Sequence, residues 1–147
     1  LSVIYPRADI PVVQLSMDAS KPISWHYEVG RALRPLREEG FCILGSGNVV
    51  HTLAQMEWNI NALPHDWADR FNDLVINVIE TDTPERLFDH EALGQDAALS
   101  IPPPDLGHYW PLFYVLGARH SGDKLTMNPR HVQYKSLSMM SFVLDST

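Results

Sequence analysis

The apolar positions of this chain follow two different rhythms. Residues 10–16 (IPVVQLS) form an almost continuous apolar run with β-branched Val12 and Val13 at its centre, framed by Pro6 and Pro11. A run of that kind predicts a strand buried on both faces. Residues 41–44 (FCIL) predict a second, shorter one. Between them Ile23, Tyr27, Gly30, Leu33 and Leu36 recur near the helical period. Ser20 suits the N-cap of this helix, Pro22 its first turn and Gly40 its C′ position, while Pro35 should kink or interrupt it. Strand, helix, strand predicts that the two apolar runs are neighbouring interior strands joined by a right-handed crossover.

Gly45-Ser46-Gly47-Asn48 predicts a tight turn, and residues 49–56 a helix start. Trp67, Phe71, Leu74, Val75 and Val78 mark an amphipathic helix behind Asp66 as cap. Residues 81–100 are polar and irregular. Ile101-Pro102-Pro103-Pro104-Asp105 should be stiff and extended. Residues 109–118 (YWPLFYVLGA) predict an apolar helix with Pro111 in its first turn, residues 121–130 a loop, and residues 136–144 (SLSMMSFVL) a final strand. The expected architecture is α/β: one domain with a mixed, mostly parallel sheet flanked by helices. No internal repeat interrupts it.

Composition narrows the function classes. The 147 residues are 45% hydrophobic and 20% charged, enough apolar material for a real core. A net charge of −7 argues against a nucleic-acid partner and against a polybasic membrane surface. Cys42 is the single cysteine, so no intrachain disulfide forms, and its apolar setting predicts a small buried hydrophobe. No apolar stretch approaches the length of a membrane span, and a cytoplasmic location is the expectation. The chain opens Leu1-Ser2-Val3-Ile4-Tyr5 without an initiator Met, which points to processing or to an upstream piece.

The seven histidines carry the candidate chemistry, and none forms a local metal motif. His51 follows a buried run and a glycine turn, where strand ends of α/β sheets face ligands and glycines admit a ligand to the backbone. It could equally satisfy a hydrogen bond at a helix start. His108, between the proline segment and an apolar helix, is placed to be a ligand or to face solvent. His26 suits packing or hydrogen bonding on the first helix, and His65 suits capping. His90, His120 and His131 read as surface residues. The tryptophans and Tyr109 read mostly as core, with Trp110 a candidate border of an aromatic pocket.

Four stretches together resemble a known family. They are Tyr5-Pro6-Arg7-Ala8-Asp9-Ile10-Pro11-Val12-Val13-Gln14-Leu15-Ser16, His26-Tyr27-Glu28-Val29-Gly30-Arg31-Ala32-Leu33, Leu44-Gly45-Ser46-Gly47-Asn48-Val49-Val50-His51-Thr52-Leu53, and His108-Tyr109-Trp110-Pro111-Leu112 running to Leu116-Gly117-Ala118. In this order they look like the C-terminal portion of the class III extradiol ring-cleavage dioxygenases of the DOPA 4,5-dioxygenase type. The resemblance spans nearly the whole chain, so residues 1–147 would be the C-terminal part of one such domain. It implies opening of a catecholic, DOPA-like substrate with O2 at a non-haem metal. It makes His51 the catalytic acid/base close to the metal, itself within reach of it, and His108 a metal ligand. It implies Fe(II), with Zn(II) able to occupy the same nitrogen-rich site in an isolated sample. The Leu106-Gly107 pair looks like a small insertion before that ligand. The family's other two metal-binding histidines belong to an N-terminal half that these residues do not contain, so the implied partners are a small aromatic diol, O2 and that N-terminal segment. Two rival readings stand beside this one: a non-catalytic metal- or protein-binding relative on the same fold, and a hydrolase or phosphate-binding domain using the Gly45-Ser46-Gly47 turn.

Overall fold

A computed structural model describes residues 2–3, 5–102 and 105–146. Pro103 and Pro104, the middle of the segment expected to be stiff, lie outside the described residues, as do Leu1 and Ile4 of the apolar opening. The architecture is helical at its centre. It comprises α1 (Ile23–Leu33), α2 (Asp66–Thr81), α3 (Gln95–Ser100) and α4 (Trp110–Gly117), with β1 (Lys124–Met127), β2 (Val132–Gln133), β3 (Leu137–Ser138) and β4 (Phe142–Asp145) near the carboxyl end.

Helix α1 starts at Pro22, two residues later than the Ser20 cap predicted, because Asp18 takes the Ser20 amide and hydroxyl for itself at 2.9 and 2.7 Å. At Pro35, which has no N–H to continue the ladder, the helix tightens into a 3-10 turn over Arg34–Arg37. It closes on Gly40 at φ +88°, with Gly40 N–H on Arg37 O and Phe41 N–H on Leu36 O. That pair of bonds is the Schellman pattern, in which glycine carries the left-handed residue without strain.

Helices α1 and α4 pack backbone to backbone. A Cβ on Gly30 would collide with the Tyr114 carbonyl, and one on Gly117 with the Tyr27 carbonyl. The junction is pinned by arginines: Arg34 donates to Gly117 O at 2.8 Å, and Arg37 to Ala118 O at 2.8 Å and to the buried Asp123 carboxylate at 2.6 Å. Helix α2 lies over the core with Phe71, Val75, Val78 and Ile79 fully buried against Leu87, Ile101, Tyr109 and Phe113. Its amphipathic face is the one the sequence predicted. Among the described residues no helix is long and apolar enough to cross a membrane.

The sheet departs from expectation. The described strands form two small antiparallel pairs, β1 with β4 and β2 with β3, and no parallel ladder joins described residues. Residues 10–16 and 41–44 form no strand, and most of them are exposed: Val13 is 87% and Leu44 66% accessible. The apolar pattern identified segments able to be strands, but a strand also requires a neighbour to hydrogen-bond. Cys42 is accordingly exposed rather than buried.

Residues 49–52 are not helical: Val49 and Val50 lie in a bend, His51 in an isolated bridge, and Thr52 is extended. Val49, Val50 and Thr52 are buried there, β-branched residues that fit a helix poorly: Val50 O accepts from Ser138 N–H at 3.0 Å, Thr52 N–H donates to Ser136 O at 3.3 Å, and His51 bridges Leu137. A 3-10 turn at Leu53–Gln55 is all that remains of the predicted helix. Conversely, residues 81–100 hold α3 and 3-10 turns at Pro84–Leu87 and Glu91–Leu93. The predicted final strand is two short ones, and the predicted loop contains β1, whose partner is β4.

Candidate active site

The site is built where the 45–52 segment crosses the start of α4. Asn48 leads: its N–H donates to the His108 carbonyl at 2.7 Å, and its side-chain oxygen accepts from Val50 N–H at 3.1 Å. Its neighbours must be small. A Cβ on Gly47 would collide with the His108 carbonyl oxygen, and one on Gly45 would sit 2.7 Å from Val115 Cγ2 and 2.8 Å from Pro111 O. The sequence expectation for these glycines is room for a ligand. The room is taken by α4 itself, so their role is to bring two stretches of backbone together. That also removes the basis for a phosphate cradle in this turn.

With that register set, His51 and His108 meet. Their ring centroids are 3.9 Å apart at an interplanar angle of 27°. His51 hangs from a separate support, its N–H on Ser100 O at 2.7 Å and its backbone bridged to Leu137. Thr52 reinforces the same wall through Ser100 O at 3.2 Å, and Ser136 Oγ donates to Thr52 O at 2.7 Å. His51 is half-buried and His108 exposed. His108 borders a cleft of about 760 Å³ whose walls include Ile43, Leu44, Pro111, Val115 and Phe142. The convergence of the two histidines across the chain, expected only from the resemblance, is present.

The pair offers two imidazoles at one place. Among the described residues no group of three or more His, Cys, Asp or Glu side chains could hold a metal ion.

The other histidines meet expectation only in part. His26 is fully buried, its Nδ1 2.9 Å from the Tyr114 hydroxyl, which bears out its packing and hydrogen-bonding role. Burial pushes its pKa down, opposed by the Asp18 carboxylate and the Lys21 carbonyl. His90 was read as a surface residue but is buried, edge-on to Phe71 and Tyr109, because the 3-10 turn at Glu91–Leu93 folds its ring inward. Burial lowers its pKa too, and it raises that of fully buried Tyr109. His65 precedes α2 without a side-chain cap bond and instead stacks on Trp67 at 5.2 Å. Tyr109 is core, Trp58 is 85% exposed, and Trp110 stacks on His26. Sequence reasoning missed Asn48 as the residue that fixes His108; the only signal was an Asx residue ending a glycine turn.

Comparison with known proteins identifies the family. Residues 1–144 match the family described as the catalytic LigB subunit of aromatic ring-opening dioxygenase. The chain is 43% identical over 144 residues to 4,5-DOPA dioxygenase extradiol of Escherichia coli (strain K12), covering 94% of this chain and 51% of that protein. It is 32% identical to the protein of the same name from Beta vulgaris, over 84% of this chain and 45% of that one, and 30% identical to that from Portulaca grandiflora, over 99% and 53%. The crystal structure of an uncharacterized protein from Escherichia coli K12 superposes with a TM-score of 0.84 at 40% identity, covering 96% of this chain and 58% of that one. The chain thus spans about half the length of the curated relatives it matches.

Proposed function

Because the chain belongs to the family of the catalytic LigB subunit of aromatic ring-opening dioxygenases, we propose that it supplies one side of an extradiol ring-cleaving site acting on a catecholic, DOPA-like substrate with O2. The observation that carries this reading is the His51–His108 pair, two imidazoles brought to 3.9 Å from distant parts of the chain.

The donor chemistry fits a non-haem Fe(II) centre in kind, since imidazole suits iron as well as zinc. It falls short in number, because such a centre takes about three protein ligands and leaves other positions open. His108, exposed and held by its backbone, would be one ligand. Zn(II) would occupy the same nitrogen donors without supporting the oxygen chemistry. The remaining ligands, in this reading, come from a further polypeptide segment that also pairs residues 10–16 and 41–48. Bound Fe(II) would supply electronic contact between a catechol and O2, which do not react readily alone.

What the chain itself does is hold and move a proton. An imidazole can take up a proton near neutrality and return it, the pattern general acid–base catalysis needs. His51 would accept the proton of a catechol hydroxyl at one ring nitrogen and deliver it back beside the cleaving C–C bond. The Ser100 carbonyl and the Leu137 bridge keep its backbone from drifting during both transfers. The cleft walls of Leu44, Pro111, Val115 and Phe142 would shed water from an aromatic ring.

The test is oxygen uptake by the natural protein with Fe(II) and DOPA, with ring-opened product followed by absorbance and mass. One O2 consumed per ring opened is expected, and loss of both metal and turnover in His108→Ala. A metal-loaded protein that binds DOPA and consumes no O2 would favour the non-catalytic relative instead.

A further inference from the structure

Two residues beyond His108 in the chain, Trp110 belongs to an aromatic unit that the ring-opening chemistry leaves unused. His26 of α1 is fully buried. Its ring is stacked on Trp110, with centroids 4.9 Å apart and planes at 17°. Its Nδ1 shares a 2.9 Å hydrogen bond with the Tyr114 hydroxyl, and Trp25 closes one edge at 5.3 Å. Trp110 and Tyr114 are one turn apart on α4, so a single imidazole grips the same helix face twice, once by its ring face and once by a nitrogen.

That grip falls on the segment that carries His108. His108, Tyr109 and Trp110 are consecutive, and the His108 carbonyl is fixed from the other side by Asn48. His108 is exposed, so little packing holds its ring. His51 is supported separately, from Ser100 and Leu137. The two imidazoles therefore keep their mutual placement only while the first turn of α4 keeps its seat.

We propose that His26 is a positioning residue for the His51–His108 pair: held between Trp110 and the Tyr114 hydroxyl, it sets the seat of α4 and with it the placement of the His108 imidazole against His51. The consequence for turnover rests on the ring-opening reading; the geometric consequence does not. A residue needed only for bulk would be replaceable by an apolar side chain. Imidazole instead combines a flat face for Trp110 with a nitrogen for Tyr114. Phenylalanine keeps the first and asparagine the second.

The experiment compares His26→Phe, His26→Asn and Tyr114→Phe in the natural protein. In the metal-free form, NOEs between the imidazole protons of His51 and His108 report the ring contact directly. In the Fe(II) form, kcat and KM for DOPA are separated. Loss of the Tyr114 bond in His26→Phe is expected to weaken the NOE and to lower kcat by about ten- to a hundredfold with little change in KM, the scale of a misplaced catalytic group. His26→Asn should recover part of both. Should His26→Phe fail to fold, Tyr114→Phe carries the test, because it removes one oxygen and nothing else. A folded variant lacking the bond, with the NOE intact and kcat unchanged, would make His26 a packing residue and overturn the proposal. A wild-type protein that shows the NOE but opens no catechol would sink the ring-opening reading, leaving the NOEs of the variants to decide the role of His26.

Discussion

Gly47→Ala tests how the site is assembled, independently of what it catalyses. The added methyl would collide with the His108 carbonyl oxygen and lie 3.0 Å from Pro111 Cγ and 3.3 Å from the His108 carbonyl carbon. Two of these atoms are backbone and the third belongs to a proline ring, so none can swing aside as the end of a long side chain could. Relief requires the 45–48 segment to withdraw from α4. Withdrawal sacrifices the 2.7 Å bond from Asn48 N–H to His108 O, about 1 kcal/mol, and the overpacking itself costs about 1–3 kcal/mol. The expected destabilisation is therefore about 2–4 kcal/mol. Gly122→Ala is the control, since nothing lies within 4 Å of its added Cβ, and it should stay within about 0.5 kcal/mol of wild type. Urea unfolding with a shared m-value separates the two. Equal midpoints for both variants would show that the glycine turn does not press on α4, and the account of how His51 and His108 are brought together would fail.

Three further outcomes follow from the same structure. His51→Ala in the natural protein should retain metal while ring opening slows about 10²-fold or more, with metal content and O2 uptake measured on one sample; full activity would reassign His51 to structure. Stability should fall on acidification: His26 and His90 have folded pKa values below the ordinary range through burial, so their neutral forms favour the fold above an unfolded pKa of about 6.5, and that contribution is lost as pH falls through their lower folded values. Urea midpoints at neutral pH and at successively lower pH check this, and His26→Phe should flatten part of the slope. The 147-residue chain by itself should bind Fe(II) and Zn(II) weakly and show no dioxygenase activity, because His108 and His51 supply two imidazoles where about three ligands are needed; stoichiometric tight metal in the isolated chain, measured by metal analysis after dialysis, would show a complete site within it.

Helices α1, α2 and α4 were legible because each carries its own evidence, whereas α3 lies in a stretch whose polar composition hid it. The spacing of Trp67, Phe71, Leu74, Val75 and Val78 needs no partner to specify a face, and Pro35 and Gly40 act on the backbone where they stand. Residues 49–52 were misread because a short apolar run fits helix and strand alike; the choice was made by Ser136 and Ser138, far along the chain. His90 was misassigned for a related reason: its neighbours in sequence are polar, and its neighbours in space are Phe71 and Tyr109. The glycines of the 45–48 turn were recognised, but whether a glycine admits a ligand or another backbone depends on what lies opposite, and that was α4.

The same distinction governs the two apolar runs at residues 10–16 and 41–44. Val12, Val13, Phe41 and Leu44 have the composition of a buried parallel sheet and the exposure of a surface, and no ladder joins residues 10–16 or 41–44 to another strand among the described residues. Local preference can favour a strand in such segments, but it cannot make exposed apolar backbone favourable in water, where side chains and peptide groups both gain from a neighbour. Segment 41–48 is nevertheless held in place, by the Schellman turn at Gly40 on one side and by Asn48 on the His108 carbonyl on the other. A segment anchored at both ends, with Phe41 and Leu44 exposed and its end three residues before His51, ties two requirements to one surface. In the proposed reading, whatever pairs with that edge would also approach the histidine pair, so completing the sheet and bringing further ligands to His108 would be one step.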